Sequence, residues 1–175
     1  MTEYSYSPEK GLTLRSGFGF SCVYVIESLK DVERKTGEEL YHDLLKYEKI
    51  NDPNIIVEYR EVNNREELFK ELESIHDILK STGKVPLIHF ETHGNKDGIA
   101  LKSDEFVPYK ILLPLLREIN IIAQNNLFIV VAACNGGNMS FIIKDCLNEA
   151  CPFFGVLGPT EMITAKEVIN GYKAF

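Results

Sequence analysis

The chain has 175 residues, 45% hydrophobic and 26% charged, the balance of one globular domain able to bury a core without disulfide or metal staples. Its net charge of −7 and pI near 5.2 argue against a nucleic-acid-binding surface, which would show a basic stripe. No run approaches the roughly 18–20 apolar residues of a membrane span. MTEYSYSPEKG also lacks the layout of a secretory signal, so no membrane partner and a cytoplasmic location with reduced thiols are expected.

Residues 1–19, with Gly11, Gly17 and Gly19, read as an N-terminal arm or small hairpin, and residues 20–175 as one domain. The first strand is FSCVYVIES (Phe20 to Ser28), continuous and β-branched like a strand buried on both faces. Thr36-Gly37-Glu38-Glu39 has capping-box spacing and opens a helix with Leu40, Leu44 and Tyr47 on one stripe, broken at Asp52-Pro53. The second strand is Ile55 to Val62. Asn64 with Glu67 then caps a helix whose stripe is Leu68, Leu72, Ile75 and Leu79, ended by Gly83.

The third strand, VPLIHFETHG, carries His93 near its tip. GIALKSDEFVP follows as a short hairpin, and a helix runs from about Tyr109 to Ala123, where Pro114 predicts a late start or a kink. The fourth strand, LFIVVAACNGG, ends at Cys134; a helix over Asn138 to Ala150, a fifth strand in FFGVLGPTE and a final helix from about Thr164 complete the chain. This alternation predicts a three-layer α/β/α sandwich around a mainly parallel sheet of about five strands.

Of the four cysteines, Cys22 lies inside the first strand as a small buried hydrophobe, and Cys146 and Cys151 have no metal-ligand spacing. His42 and His76 fall on helices, so neither a metal nor another cofactor is expected. Alone, a strand-end histidine or a cysteine in an apolar strand reads as ordinary structure. Together, Thr92-His93-Gly94 and Ala133-Cys134-Asn135-Gly136-Gly137 place an imidazole and a thiol at neighbouring C-terminal strand tips, where open α/β sheets bind ligands. A cysteine nucleophile needs a base within reach and N–H donors for an oxyanion, and the small residues at both tips leave such donors available. Glu91 shares a strand face with His93 and reads as a hydrogen-bonded strand glutamate that could orient the site.

HFETHG followed by VVAACNGG resembles the His-Gly and Ala-Cys signatures of caspase-like cysteine peptidases, the group of caspases, metacaspases, gingipains, separases and bacterial CHAT proteins. The 41-residue separation of the two residues, with a hairpin and a helix between, is similar to that group, and the resemblance spans roughly Phe20 to Glu161. It implies a caspase-like fold and an endopeptidase with His93 as general base, Cys134 as nucleophile, and the N–H groups of Gly94 and Cys134 as the oxyanion hole. The strand-one and strand-five tips of the family contribute to the substrate pocket, which here implies Glu27 and Glu161 and a basic residue at the cleavage site. A protein substrate and activation by a partner or signal, in bacterial defence or programmed death, are further implications. The chain departs from the family where Ala132 and Ala133 stand in place of its pocket aspartate or glutamine. It is also expected to lack the family's last strand, leaving a sheet edge that a second polypeptide could complete.

Two other readings remain open. One is a catalytically inert interaction module of the same fold. The other is a flavodoxin- or response-regulator-like domain, against which stands VIESLKDVERKTG where a glycine-rich phosphate loop would follow the first strand.

Overall fold

The computed structural model describes residues 2–7, 11–16, 19–45, 54–146 and 149–174. Strands β1 (Thr2–Ser7) and β2 (Gly11–Ser16) pair antiparallel as a separate two-stranded sheet. The remainder is an α/β sandwich. Its parallel strands are β3 (Cys22–Ser28), β4 (Ile56–Glu61), β5 (Pro86–Asn95), β8 (Phe128–Ala132) and β9 (Gly155–Leu157), in the spatial order β4-β3-β5-β8-β9. Strand β3 is buried along its whole length, as its continuous apolar run requires. The end of β5 turns into an antiparallel hairpin of β6 (Gly98–Ala100) and β7 (Phe106–Pro108).

Helices cover both faces. On one, α2 (Arg65–Thr82) and α3 (Tyr109–Ile122) bury Leu68, Leu72, Ile75, Leu112, Leu116 and Ile119 against Tyr24, Ile26, Ile88 and Phe90. Each such side chain is worth about 1.5–3 kcal/mol when fully buried. On the other face Leu40 of α1 (Thr36–Leu40) and Tyr41 and Leu45 of the following π-turn cover Val23, Val25 and Val57. Helix α4 (Ala165–Ala174) follows β9 and contacts α1.

Local chemistry explains most boundaries. Asn64 caps α2 by accepting from Glu67 N–H at 3.0 Å, and Gly83 ends it in the left-handed region at φ 69°. Three expectations are corrected. Thr36 does not close a capping box, because its hydroxyl goes to the buried Glu91; the helix there lasts five residues before widening into the π-turn, and Tyr47, Asp52 and Pro53 lie outside the described residues. Helix α3 starts without delay at Tyr109, with Pro114 inside it on the exposed side. The segment after Cys134 is a 3-10 helix over Gly136–Cys146 instead of an α-helix from Asn138, its first turn tightened by the i−3 bonds Asn138 N–H to Asn135 C=O and Ser140 Oγ to Gly137 C=O.

Candidate active site

Strands β5 and β8 run parallel with a constant offset, every pair from Leu87↔Phe128 to Glu91↔Ala132 lying 41 positions apart. Carried two residues past the last pair, the same register sets His93 opposite Cys134. The ladder stops before them because Ala133 and Cys134 bend into a turn completed by Asn135 in the left-handed region at φ 60°. Both side chains line one pocket of about 160 Å3 at the C-terminal edge of the sheet, beside the β3–β5 boundary where the strand order reverses. His93 is well exposed and Cys134 is half-buried.

The turn after Cys134 is packed too closely for side chains. A Cβ on Gly136 would stand 2.3 Å from the Val131 carbonyl oxygen, and one on Gly137 would stand 2.6 Å from that of Gly158. Gly94 is held similarly, since a Cβ there would meet the Gly98 carbonyl oxygen at 2.8 Å and Ala133 Cβ at 3.1 Å. These contacts bring the two strand tips together.

Backbone donors remain at the tips. Asn95↔Gly98 closes the hairpin as a bonded pair, so Gly94↔Ile99 is the non-bonded pair and Gly94 N–H faces away from β6. Cys134 N–H donates to no acceptor among the described residues, whereas Asn135 N–H and Gly137 N–H are taken by the carbonyls of Glu161 and Pro159, each at 2.9 Å. Thr92 Oγ1 adds a buried hydroxyl on the lining with no hydrogen-bond partner among the described residues.

The loop from β3 to α1 forms a second wall. Glu33 accepts from His93 Nε2–H at 2.8 Å and from Lys30 N–H at 2.7 Å. Burial pushes the Glu33 carboxyl up, but the Lys30 N–H and His93 bonds, with the neighbouring positive charge, outweigh it and hold the group below the usual carboxylate range. Arg34, also on the lining, is bound through two bonds to Glu39. Beneath, Glu91 accepts from Thr36 Oγ1 at 2.6 Å and from His89 Nε2–H at 2.9 Å. The third wall is the segment entering α4, where the Ile163 carbonyl oxygen takes the Cys134 thiol at 3.7 Å and Ala165 and Val168 complete the lining.

Two residues expected at the pocket are elsewhere. Glu27 is fully buried, its carboxylate taken by Gly37 N–H at 2.7 Å and Tyr59 OH at 2.6 Å, with no surface left for a substrate. Its burial raises its pKa against the opposing Tyr59 and Gly37 bonds. Glu161 is exposed and off the lining, and only its backbone carbonyl serves the site by fixing Asn135. The acids that do line the pocket are Glu33 and Glu91. Glu91 had a sequence signal in its spacing from His93, whereas Glu33 and Ile163 had none, being brought in by loops. Among the described residues no cluster of His, Cys, Asp and Glu could hold a metal ion, and no helix is long and apolar enough to cross a membrane.

Fold and pocket together define an α/β protein with an imidazole and a thiol on the lining of one pocket at the C-terminal edge of its sheet. No protein-family model matches the chain, and no curated protein matches it in sequence.

Proposed function

We propose that the chain is a cysteine endopeptidase of the caspase-like type, with Cys134 as nucleophile and His93 as general base. The place of the two residues on the lining of one pocket, at the tips of adjacent parallel strands, carries this reading, together with the N–H groups of Gly94 and Cys134. In the first half-reaction the thiol proton passes to His93 as Sγ bonds the scissile carbonyl carbon. The displaced electron pair moves to oxygen, where the two N–H groups hold it at about 3–4 kcal/mol per donor. Collapse breaks the C–N bond, and the departing amine takes the proton from His93. Water deprotonated by His93 then attacks the thioester, releasing the acid and restoring the thiol. The cycle uses no cofactor.

The negative charge of Glu33 on the lining, with Arg34 engaged by Glu39, favours a basic side chain at the cleavage site, whereas Glu91 is buried against Thr36 and His89. A reducing, cytoplasmic setting suits the free thiols at Cys22, Cys134 and Cys151. Strand β9 bonds only β8 among the described residues, so its outer edge is open to an activating partner or a second polypeptide.

One observation favours the second reading, an inert interaction module: the Cys134 thiol is taken by the chain's own Ile163 carbonyl. Incubation with a degenerate peptide library, followed by mass spectrometry of the products, separates the two. Cleavage after lysine or arginine that disappears in Cys134→Ala supports the peptidase. An uncleaved library, with Cys134 no more reactive than the exposed Cys151, supports the module.

A further inference from the structure

We propose that Glu33 is the positioning residue for His93, fixing the tautomer in which Nε2 carries the proton and Nδ1 is the base that serves Cys134. The proposal rests on the peptidase reading of the site. A carboxylate has no proton to give, so the 2.8 Å contact requires the hydrogen on Nε2 of the ring. A neutral imidazole then has its only lone pair at Nδ1, and the second ring nitrogen's partner decides which nitrogen works. Glu33 is suited to stay ionised. Its second oxygen is held by Lys30 N–H, and the nearby cations Lys30 and Arg34 have their own partners in Asp104 and Glu39. The remaining acid on the lining, Glu91, is turned to Thr36 and His89.

The loop that presents Glu33 is anchored at both ends. At its start, Glu33 N–H closes a turn onto the Lys30 carbonyl at 2.9 Å. At its end, the first turn of α1 is fastened to the sheet by Gly37 N–H on Glu27 and Thr36 Oγ1 on Glu91. The buried acids of β3 and β5 therefore set the position of the acid that touches His93. Glu33 itself acts through the imidazole and touches no reacting atom.

The test is the rate of Cys134 alkylation by iodoacetamide between pH 5 and 9, normalised to the exposed Cys151 in the same chain, for wild type, Glu33→Gln, Glu33→Asp and His93→Ala, and for the double variant of Glu33→Gln with His93→Ala. The expected result has four parts. Glu33→Gln moves the rise of labelling to higher pH and slows it at neutrality by about fivefold, a modest figure because the pair is partly exposed. Glu33→Asp recovers part of the rate. His93→Ala slows labelling more. The double variant is no slower than His93→Ala alone, because Glu33 acts only through the ring. A Glu33→Gln profile identical to wild type, while His93→Ala remains slow, would overturn the Glu33 assignment and leave the Cys134–His93 dyad standing. Labelling indifferent to His93→Ala would overturn both.

Discussion

Glu27 and Glu91 are cross-strand neighbours in β3 and β5, both buried, and both carboxylates are turned onto the first turn of α1. Two acids side by side in a core cost desolvation, and here their lone pairs are spent as an N-terminal cap supplied from the sheet. Lys35, at the cap position, has no acceptor with which to cap the helix, and Glu27 takes the Gly37 N–H in its place.

Removing this anchor is costly. Glu27→Ala leaves Gly37 N–H and the part-buried Tyr59 OH without their acceptor and should destabilise the fold by about 2–6 kcal/mol, at about 1–3 kcal/mol per unmet group. Glu27→Gln, which keeps an acceptor for Gly37, should cost less. Urea unfolding of the two variants checks the order.

The pH dependence has two opposed parts. The pKa of Glu27 is raised in the folded chain, so its folded state holds the proton more tightly than the unfolded state. The stability it contributes is present below the ordinary carboxylate pKa and is lost as pH rises through the raised value. The pKa of Glu33 is lowered, so its contribution is present above the ordinary carboxylate value and lost as pH falls through the lowered one. Urea midpoints against pH should therefore show Glu27→Gln flattening the decline above the ordinary carboxylate range. Glu33→Gln should flatten the acid loss below it.

Gly94→Ala tests the close approach of the strand tips. Its methyl has no room between the Gly98 carbonyl and Ala133, and the backbone must shift, at about 1–3 kcal/mol. Because the shift falls between His93 and Cys134, labelling of Cys134 should drop even in preparations that remain folded by circular dichroism.

Thr92→Val should behave in the opposite way. It replaces a buried hydroxyl that has no partner with a methyl of similar size, so thermal unfolding should show a gain of about 1 kcal/mol. If that hydroxyl serves the substrate, peptide cleavage falls while stability rises.

The C-terminal wall can be loosened without touching the dyad. Thr164 and Glu167 form a reciprocal cap at the start of α4, with Thr164 N–H donating to Glu167 at 2.8 Å. Thr164→Ala should cost about 0.5–2 kcal/mol. It should also speed labelling of Cys134 by a bulky maleimide more than by iodoacetamide, because Ile163 is the preceding residue. Equal effects on both probes would show that this wall does not limit access.

The strands were legible because burial writes itself as apolar runs such as CVYVIES, covered on both faces, and FIVVA, and α2 because its cap, stripe and terminal glycine agree. That the strand tips bearing His93 and Cys134 lie on one pocket was legible as a likeness of strand tips, but the offset of 41 was not, since it depends on how β5 and β8 align. Glu27 was misplaced because Gly37, lacking a side chain, lets α1 lie directly on the carboxylate, and nothing local to Glu27 announces that cover. Glu33 could not be seen at all: its bond to His93 spans 60 residues and is made by a loop.

The most direct test of the central claim is the ratio of iodoacetamide labelling at Cys134 to that at Cys151, in wild type and in His93→Ala. His93 is 58% exposed, so its removal should change stability by no more than about 0.5 kcal/mol and leave the site intact. The account predicts a wild-type ratio well above one that falls by about a hundredfold without the imidazole. A ratio near one in both proteins would contradict it, leaving Cys134 an ordinary thiol at the edge of a sheet.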